Sequence, residues 1–275
     1  MSKKQIPRQR RRLDGRVLTE RMAGRTVSSR RLGQQISTAV TLCRRVDAFR
    51  IDAPPEGEVR VRNLIHRGAV RPVFKVPSIK MQRVIQCESL LEVDLVHLLD
   101  ASPFVASFGE QPATFRFFID GERRWHVPDF RVEQSGRRIY VEVKFKRDVD
   151  DYVLARTALI QQQIDQEGSA YLLLTEADIR RPYWLANTRQ VLRRACHGIT
   201  DTQLLGSFER LRRSRSTTFR DWLWDQSQAS EAIALAHLLV QGSAYVDMSR
   251  PLTLETQVCV TNGKEGEPWP LAFSR

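Results

Sequence analysis

Cysteine is sparse and scattered: Cys43, Cys87, Cys196 and Cys259 lie far apart, and no pair has C-x-x-C spacing. No Cys/His cluster suggests zinc either, which argues against a zinc finger or a disulfide scaffold and for reduced thiols. Long apolar runs are also missing. Nothing approaches the ~18 residues that a bilayer span needs. The first residues are polar and basic, without the apolar segment of a secretory signal. These absences give the expectation of a cytoplasmic protein with no membrane association. The Arg- and Ser-rich start does share its composition with organellar transit peptides.

Acid is scarce in one place only. The chain carries 44 Lys/Arg against 32 Asp/Glu, a net +12. Residues 1–50 hold fourteen of those bases, Arg8, Arg10, Arg11 and Arg12 among them, against Asp14, Glu20 and Asp47. The rest of the chain is therefore nearly neutral. A basic arm on a neutral body points to a polyanionic partner, and nucleic acid fits because phosphate contacts supply affinity without sequence specificity.

The chain divides into three parts. Residues 1–57 read as a basic, largely disordered arm, with a short helix over 36–50 (Ile36, Val40, Leu42, Val46) and a breaker, Asp52-Ala53-Pro54-Pro55-Glu56-Gly57, as junction. Residues 58–180 read as an α/β unit. Leu91, Leu95, Leu98 and Leu99 give a helix over 87–100, ended by Pro103. Strands follow at 104–109, 113–119 and 123–132, the last interrupted by Pro128, with a hairpin turn at Asp120-Gly121. Ser135-Gly136 leads into a strand over 138–145, then a helix from Asp150-Asp151 to Gln166 and a buried strand over 170–174. Residues 181–275 are mostly helical, near 183–196, 202–213, 217–225 and 229–241. Two short strands follow at 243–248 and 256–260, so that this part resembles a winged helix for DNA or partner contact.

The chemistry concentrates on four residues, Glu88, Asp129, Glu142 and Lys144. Asp129 stands in Pro128-Asp129-Phe130, thirteen residues before Glu142. In the strand Arg138-Ile139-Tyr140-Val141-Glu142-Val143-Lys144-Phe145, alternation puts Ile139, Val141 and Val143 on one face and Tyr140, Glu142 and Lys144 on the other. The flanking apolar residues Ile139, Val141, Val143 and Phe145 imply a central strand, where two charges need a reason. Clustered carboxylates suit a hard divalent cation, and such a cation beside an activated water suits phosphodiester hydrolysis. In that reading Asp129 and Glu142 are metal ligands with the Val143 carbonyl. Glu88 supplies a further ligand, with Glu92 as its rival one helical turn on. Lys144 holds the attacking water. Mg²⁺ fits these ligands, and Mn²⁺ should substitute. His126, Gln111, Lys80 and Arg83 are weaker candidates for the site or for phosphate contact.

The segments Ser78 to Glu92, Phe108-Gly109-Glu110-Gln111-Pro112, Val127-Pro128-Asp129-Phe130 and Val141-Glu142-Val143-Lys144 resemble, in order and spacing, the core of the TnsA transposon endonucleases. The stretch His237 to Leu252 looks like that family's C-terminal part, whereas the first 70 or so residues have no counterpart. The resemblance implies a restriction-endonuclease-like core of the PD-(D/E)xK superfamily and cleavage of the 5′ strand at transposon ends. It also implies a DDE transposase subunit that cuts the 3′ strand and an AAA-type ATPase regulator, on DNA and hence in the nucleoid. One departure is Glu142, where the best-known member carries glutamine and the wider superfamily glutamate.

Overall fold

A computed structural model of the chain describes residues 46–62, 72–119, 122–214 and 217–261. The expected disordered arm up to residue 45 and the Asp120-Gly121 turn lie outside the described residues. In chain order the elements are β1 (Val46–Asp52), β2 (Phe74–Ser78), β3 (Arg83–Cys87), α1 (Leu90–Ala101), β4 (Val105–Glu110), β5 (Thr114–Ile119), β6 (Glu122–His126), β7 (Phe130–Gln134) and β8 (Arg137–Val143). There follow α2 (Asp151–Gln166), β9 (Ala170–Leu174), α3 (Glu176–Ile179), α4 (Trp184–Ala195), α5 (Asp201–Arg213), β10 (Thr217–Thr218), α6 (Ser230–Val240), β11 (Ala244–Tyr245) and β12 (Gln257–Val260). The class is mixed α/β.

The central sheet has the order β4-β7-β8-β9. Its first three strands are antiparallel, and β9 lies parallel to β8 after the crossover through α2. A parallel neighbour needs such a crossover, and a helix supplies it. Ser135 and Gly136, with φ of 50° and 76°, form the two-residue turn between β7 and β8, a conformation glycine adopts without a Cβ penalty. The alternation in β8 holds. Ile139, Val141 and Val143 pack with Leu91 and Leu95 of α1, while Tyr140 packs with Phe115, Leu159 and Ile160 on the opposite face. Each fully buried Leu or Phe here contributes ~1.5–3 kcal/mol, which fixes the register, because a slip by one residue would exchange the two faces.

Three expectations need correction. The stretch 46–50 is not helical: Val46–Asp52 is a strand paired antiparallel with β5. Phe49 and Ile51 bury one face of that strand against Phe115 and Phe117, and this long-range packing outweighs the local helical spacing. The body thus begins no later than Val46, well before residue 58. The single strand expected over 123–132 is two strands in different sheets, β6 with β5 and β7 with β4 and β8. Pro128 cannot donate to a ladder, and the chain changes sheets there. Residues 217–225 form the two-residue strand β10 and a 3-10 turn over Phe219–Trp222 rather than a helix.

A second core gathers Val191, Trp222, Trp224, Leu235 and Leu238 around α4 and α6, and Ala101 at the end of α1 belongs to it as well. The C-terminal part is therefore packed onto the first unit through α1. Gly242, at φ 75°, closes α6, and a Cβ there would stand 2.8 Å from the Pro103 ring, so only glycine fits.

Candidate active site

Pro128 and Asp129 occupy the crossing between the two sheets. The Asp129 carbonyl accepts the Gln111 amide at 2.8 Å, and its carboxylate Oδ2 accepts the Val143 amide at 2.7 Å. Asp129 is thus tied to the last residue of β8, and Glu142 and Lys144 flank that residue. This bond engages the Val143 amide nitrogen, a different atom from the carbonyl that the sequence suggested as a metal ligand.

Glu142 is 3% exposed and projects toward α2. His126 Nε2 lies 3.0 Å from its Oε2, and Lys144 Nζ and the Arg156 guanidinium both lie 3.0 Å from its Oε1. Because a carboxylate only accepts, the facing His126 nitrogen carries the proton, and the Tyr171 hydroxyl stands 2.9 Å from the same nitrogen. Burial alone would raise the Glu142 carboxyl. The hydrogen bond from His126 and the charges of Lys144 and Arg156 win, and hold it down to about 2. His126 is pushed below its ordinary value, first by burial and then by Arg156 and Lys144, against the pull of Glu142.

Asp129 shows the opposite behaviour. Burial, then the charges of Glu142 and Glu92, push its carboxyl well above the usual range, against the Val143 amide and Lys144. Glu92 is raised as well, by burial and by Glu88 and Glu142. Asp129, Glu142 and Glu92 therefore share one electrostatic site, in which negative charge is crowded.

Glu88 points elsewhere. Its carboxylate pairs with Arg62 at 2.6 Å. The Gln111 amide holds that arginine in turn, donating to the Arg62 carbonyl at 2.9 Å and accepting from its guanidinium at 3.0 Å in the orientation that satisfies both groups. Glu92 accepts the Glu88 amide at 2.9 Å and the Ser89 hydroxyl at 2.8 Å, while Ser89 accepts the Glu92 amide at 3.1 Å. Ser89 is thus the N-cap of α1, and Glu92 reaches back past it to the amide of Glu88. Of the two glutamates, Glu92 is the one in electrostatic contact with Asp129 and Glu142.

Two basic candidates are engaged in the scaffold. Lys80 donates to the Ser102 carbonyl at 3.0 Å, beside the carboxylate of Asp100. Arg83 makes a bidentate pair with buried Glu110 at 2.9 and 2.7 Å. Arg156 and Tyr171 were not anticipated. Arg156 projects from an amphipathic helix and Tyr171 from an apolar strand, and neither pattern marks a residue that will meet Glu142.

The oxygen ligands are of the kind a hard divalent cation takes, and the raised Asp129 and Glu92 carboxyls are what such a cation would offset. The set does not close as arranged. Among the described residues no group of three or more His, Cys, Asp or Glu side chains converges to hold a metal ion. Glu142 spends its oxygens on His126, Lys144 and Arg156, and Glu88 is turned to Arg62. Two cavities lie away from this cluster, one of about 660 Å³ between hairpin β2–β3 and α4 and one of about 540 Å³ beside Asp94 and Arg180. A site for a duplex phosphate is an open surface rather than an enclosed cavity, so the carboxylate cluster remains the candidate on chemical grounds.

Among the described residues no helix is long and apolar enough to cross a membrane. The sequence matches no protein-family model, and comparison with curated proteins finds no match.

Proposed function

We propose that this chain is a metal-dependent DNA endonuclease, a TnsA-like subunit that hydrolyses the 5′ strand at transposon ends beside a DDE transposase subunit and an AAA-type regulator. The observation that carries the reading is the bond from Asp129 to the Val143 amide. It joins the raised carboxyl of Asp129 to the strand end bearing Glu142 and Lys144, in the order that the PD-(D/E)xK pattern requires. The finer architecture belongs to the same proposal: β4-β7-β8-β9 between α1 and α2 as a restriction-endonuclease-like core, and α4–α6 with β10–β12 as a winged-helix-like part.

Asp129 and Glu142 would hold a divalent ion, with Glu92 or Glu88 adding an oxygen. The ion would supply Lewis acidity and an activated water. Lys144 would place its ammonium beside the developing charge on the phosphate. His126 and Arg156 fix the rotamer of Glu142, and Gln111 fixes the loop that carries Asp129.

The engagement of Glu142 with three donors favours a second reading, a DNA-binding adaptor that does no chemistry. Nicking of end-labelled transposon-end DNA separates the two, with Mg²⁺ or Mn²⁺ and with or without the transposase subunit. Cleavage of the 5′ strand only with the partner supports the proposal. Cleavage by the chain alone indicates a free-standing restriction or repair nuclease, and binding without cleavage in any mixture indicates the adaptor.

A further inference from the structure

The three-stranded sheet β1-β5-β6 buries one face and leaves the other to solvent. The outward face pairs Arg50 with Arg116, Arg116 with Trp125 and Phe118 with Arg123 across its strands. Trp125 is 65% exposed, the most exposed aromatic side chain among the described residues. The Arg123 guanidinium lies over the Phe118 ring at 5.8 Å. Among the described side chains of this face, three arginines stand against one acid, Asp52, which is already paired with both Arg50 and Arg116.

An indole left in water among arginines is unusual, because tryptophan is normally mostly buried and an apolar surface rimmed by polar groups commonly marks an interface. A flat ring interleaved with cations fits a polymer that has both flat faces and negative charge. Single-stranded nucleic acid has both, whereas a duplex hides its base faces in the stack. The location also fits. Trp125 is four residues from Asp129, at most ~14 Å along an extended chain, which is about four stacked nucleotides.

We infer that this face binds unpaired DNA beside the cut, with a base stacked on Trp125 and phosphates held by Arg116, Arg123 and Arg50. The inference rests on the nuclease reading for the origin of that strand. Alternation sends His126 inward to Glu142 and Trp125 outward, so one strand, β6, carries both contacts.

The test is binding of a fluorescein-labelled oligothymidylate and of a duplex of equal length to the full chain, in EDTA, at ~50 and ~200 mM salt. Trp125→Ala should weaken binding of the unpaired strand by about 10- to 100-fold, one lost base stack, and by the same factor at both salt concentrations. Its duplex binding should not change. Trp125→Phe should retain most of the affinity, and Arg116→Ala with Arg123→Ala should lower the salt slope. Unchanged binding by Trp125→Ala, or an equal loss on duplex, overturns the inference. Since EDTA removes any divalent ion, this binding is measured independently of cleavage. If Asp129→Ala still nicks, the nuclease reading fails, whereas the effect of Trp125→Ala on binding of the unpaired strand is decided separately.

Discussion

Two acids at one site should respond to neutralisation with opposite signs. Glu142 is almost fully buried and is held by three donors, and its carboxyl sits at about 2 rather than 4.5. That difference corresponds to about 3 kcal/mol of folded-state stability. Glu142→Ala also leaves the mostly buried Arg156 without its carboxylate, and breaking such a buried pair costs ~3–5 kcal/mol. The melting temperature should fall by roughly 6–20 °C, at ~2–4 °C per kcal/mol for a chain of this size. Asp129 is pushed well above its usual range by burial and by neighbouring carboxylates, so its ionised form is held at a cost. Asp129→Asn keeps an acceptor for the Val143 amide and removes the repulsion. It should stabilise by ~0.5–2 kcal/mol while ending any nicking.

The pH dependence fixes the signs. A lowered carboxyl stabilises above its unfolded value and loses that contribution as pH falls, so the Glu142→Ala deficit should shrink between about pH 4.5 and 2. A raised carboxyl destabilises as pH climbs above its unfolded value, so the Asp129→Asn gain should be present at pH 7 and vanish below about 3.8. Thermal melts of the three proteins across pH 3–7, followed by circular dichroism, measure both. If Asp129→Asn melts below the parent at pH 7, or Glu142→Ala melts with it, the electrostatic account of the site is wrong.

Lys144→Ala should abolish metal-dependent nicking yet cost only ~1 kcal/mol in a urea titration, because its ammonium is partly exposed and His126 and Arg156 still hold Glu142. Glu92→Gln leaves the N-cap bond from its own amide to Ser89 intact, so its melting temperature should hold while the Mg²⁺ needed for half-maximal nicking rises by about ten-fold. Under Glu88→Gln that requirement should change less, and the reverse order in a metal titration would restore Glu88 to the place the sequence suggested. Asp94→Ala removes the buried carboxylate that Arg180 and Arg189 share at 2.6 and 2.5 Å and should lower stability by ~1–3 kcal/mol, measured by chemical denaturation.

Much was legible in the sequence because it is local. Period-two alternation located β8, helical spacing located α1, and helical stretches were expected where α2, α4, α5 and α6 lie. Gly136 and Gly242 marked a turn and a helix stop that positive φ requires. That Asp129 comes near the strand end carrying Glu142 and Lys144 was also expected, since it lies just before the turn into that strand; its described bond is to the Val143 amide between them. The strand at 46–52 was not legible. Its partner β5 lies more than sixty residues away, and helical spacing cannot register a distant hydrophobic face.

What the sequence determined by itself was the chemical inventory: four charged residues in a fixed order, a basic first fifty residues and a nearly neutral remainder. What only the tertiary structure decided was how that charge is distributed in space. The crossover through α2 brings Arg156 to Glu142, and β6 brings His126, so one acid is stabilised as an anion and its neighbour is not. The cap at Ser89 turns Glu92, rather than Glu88, into the acidic cluster, and the outward pleat of β6 leaves Trp125 in water. The physical reason is range. Hydrogen-bond periodicity acts over a few residues, whereas burial and Coulomb forces act between whatever groups the fold brings close, however far apart they are in the chain.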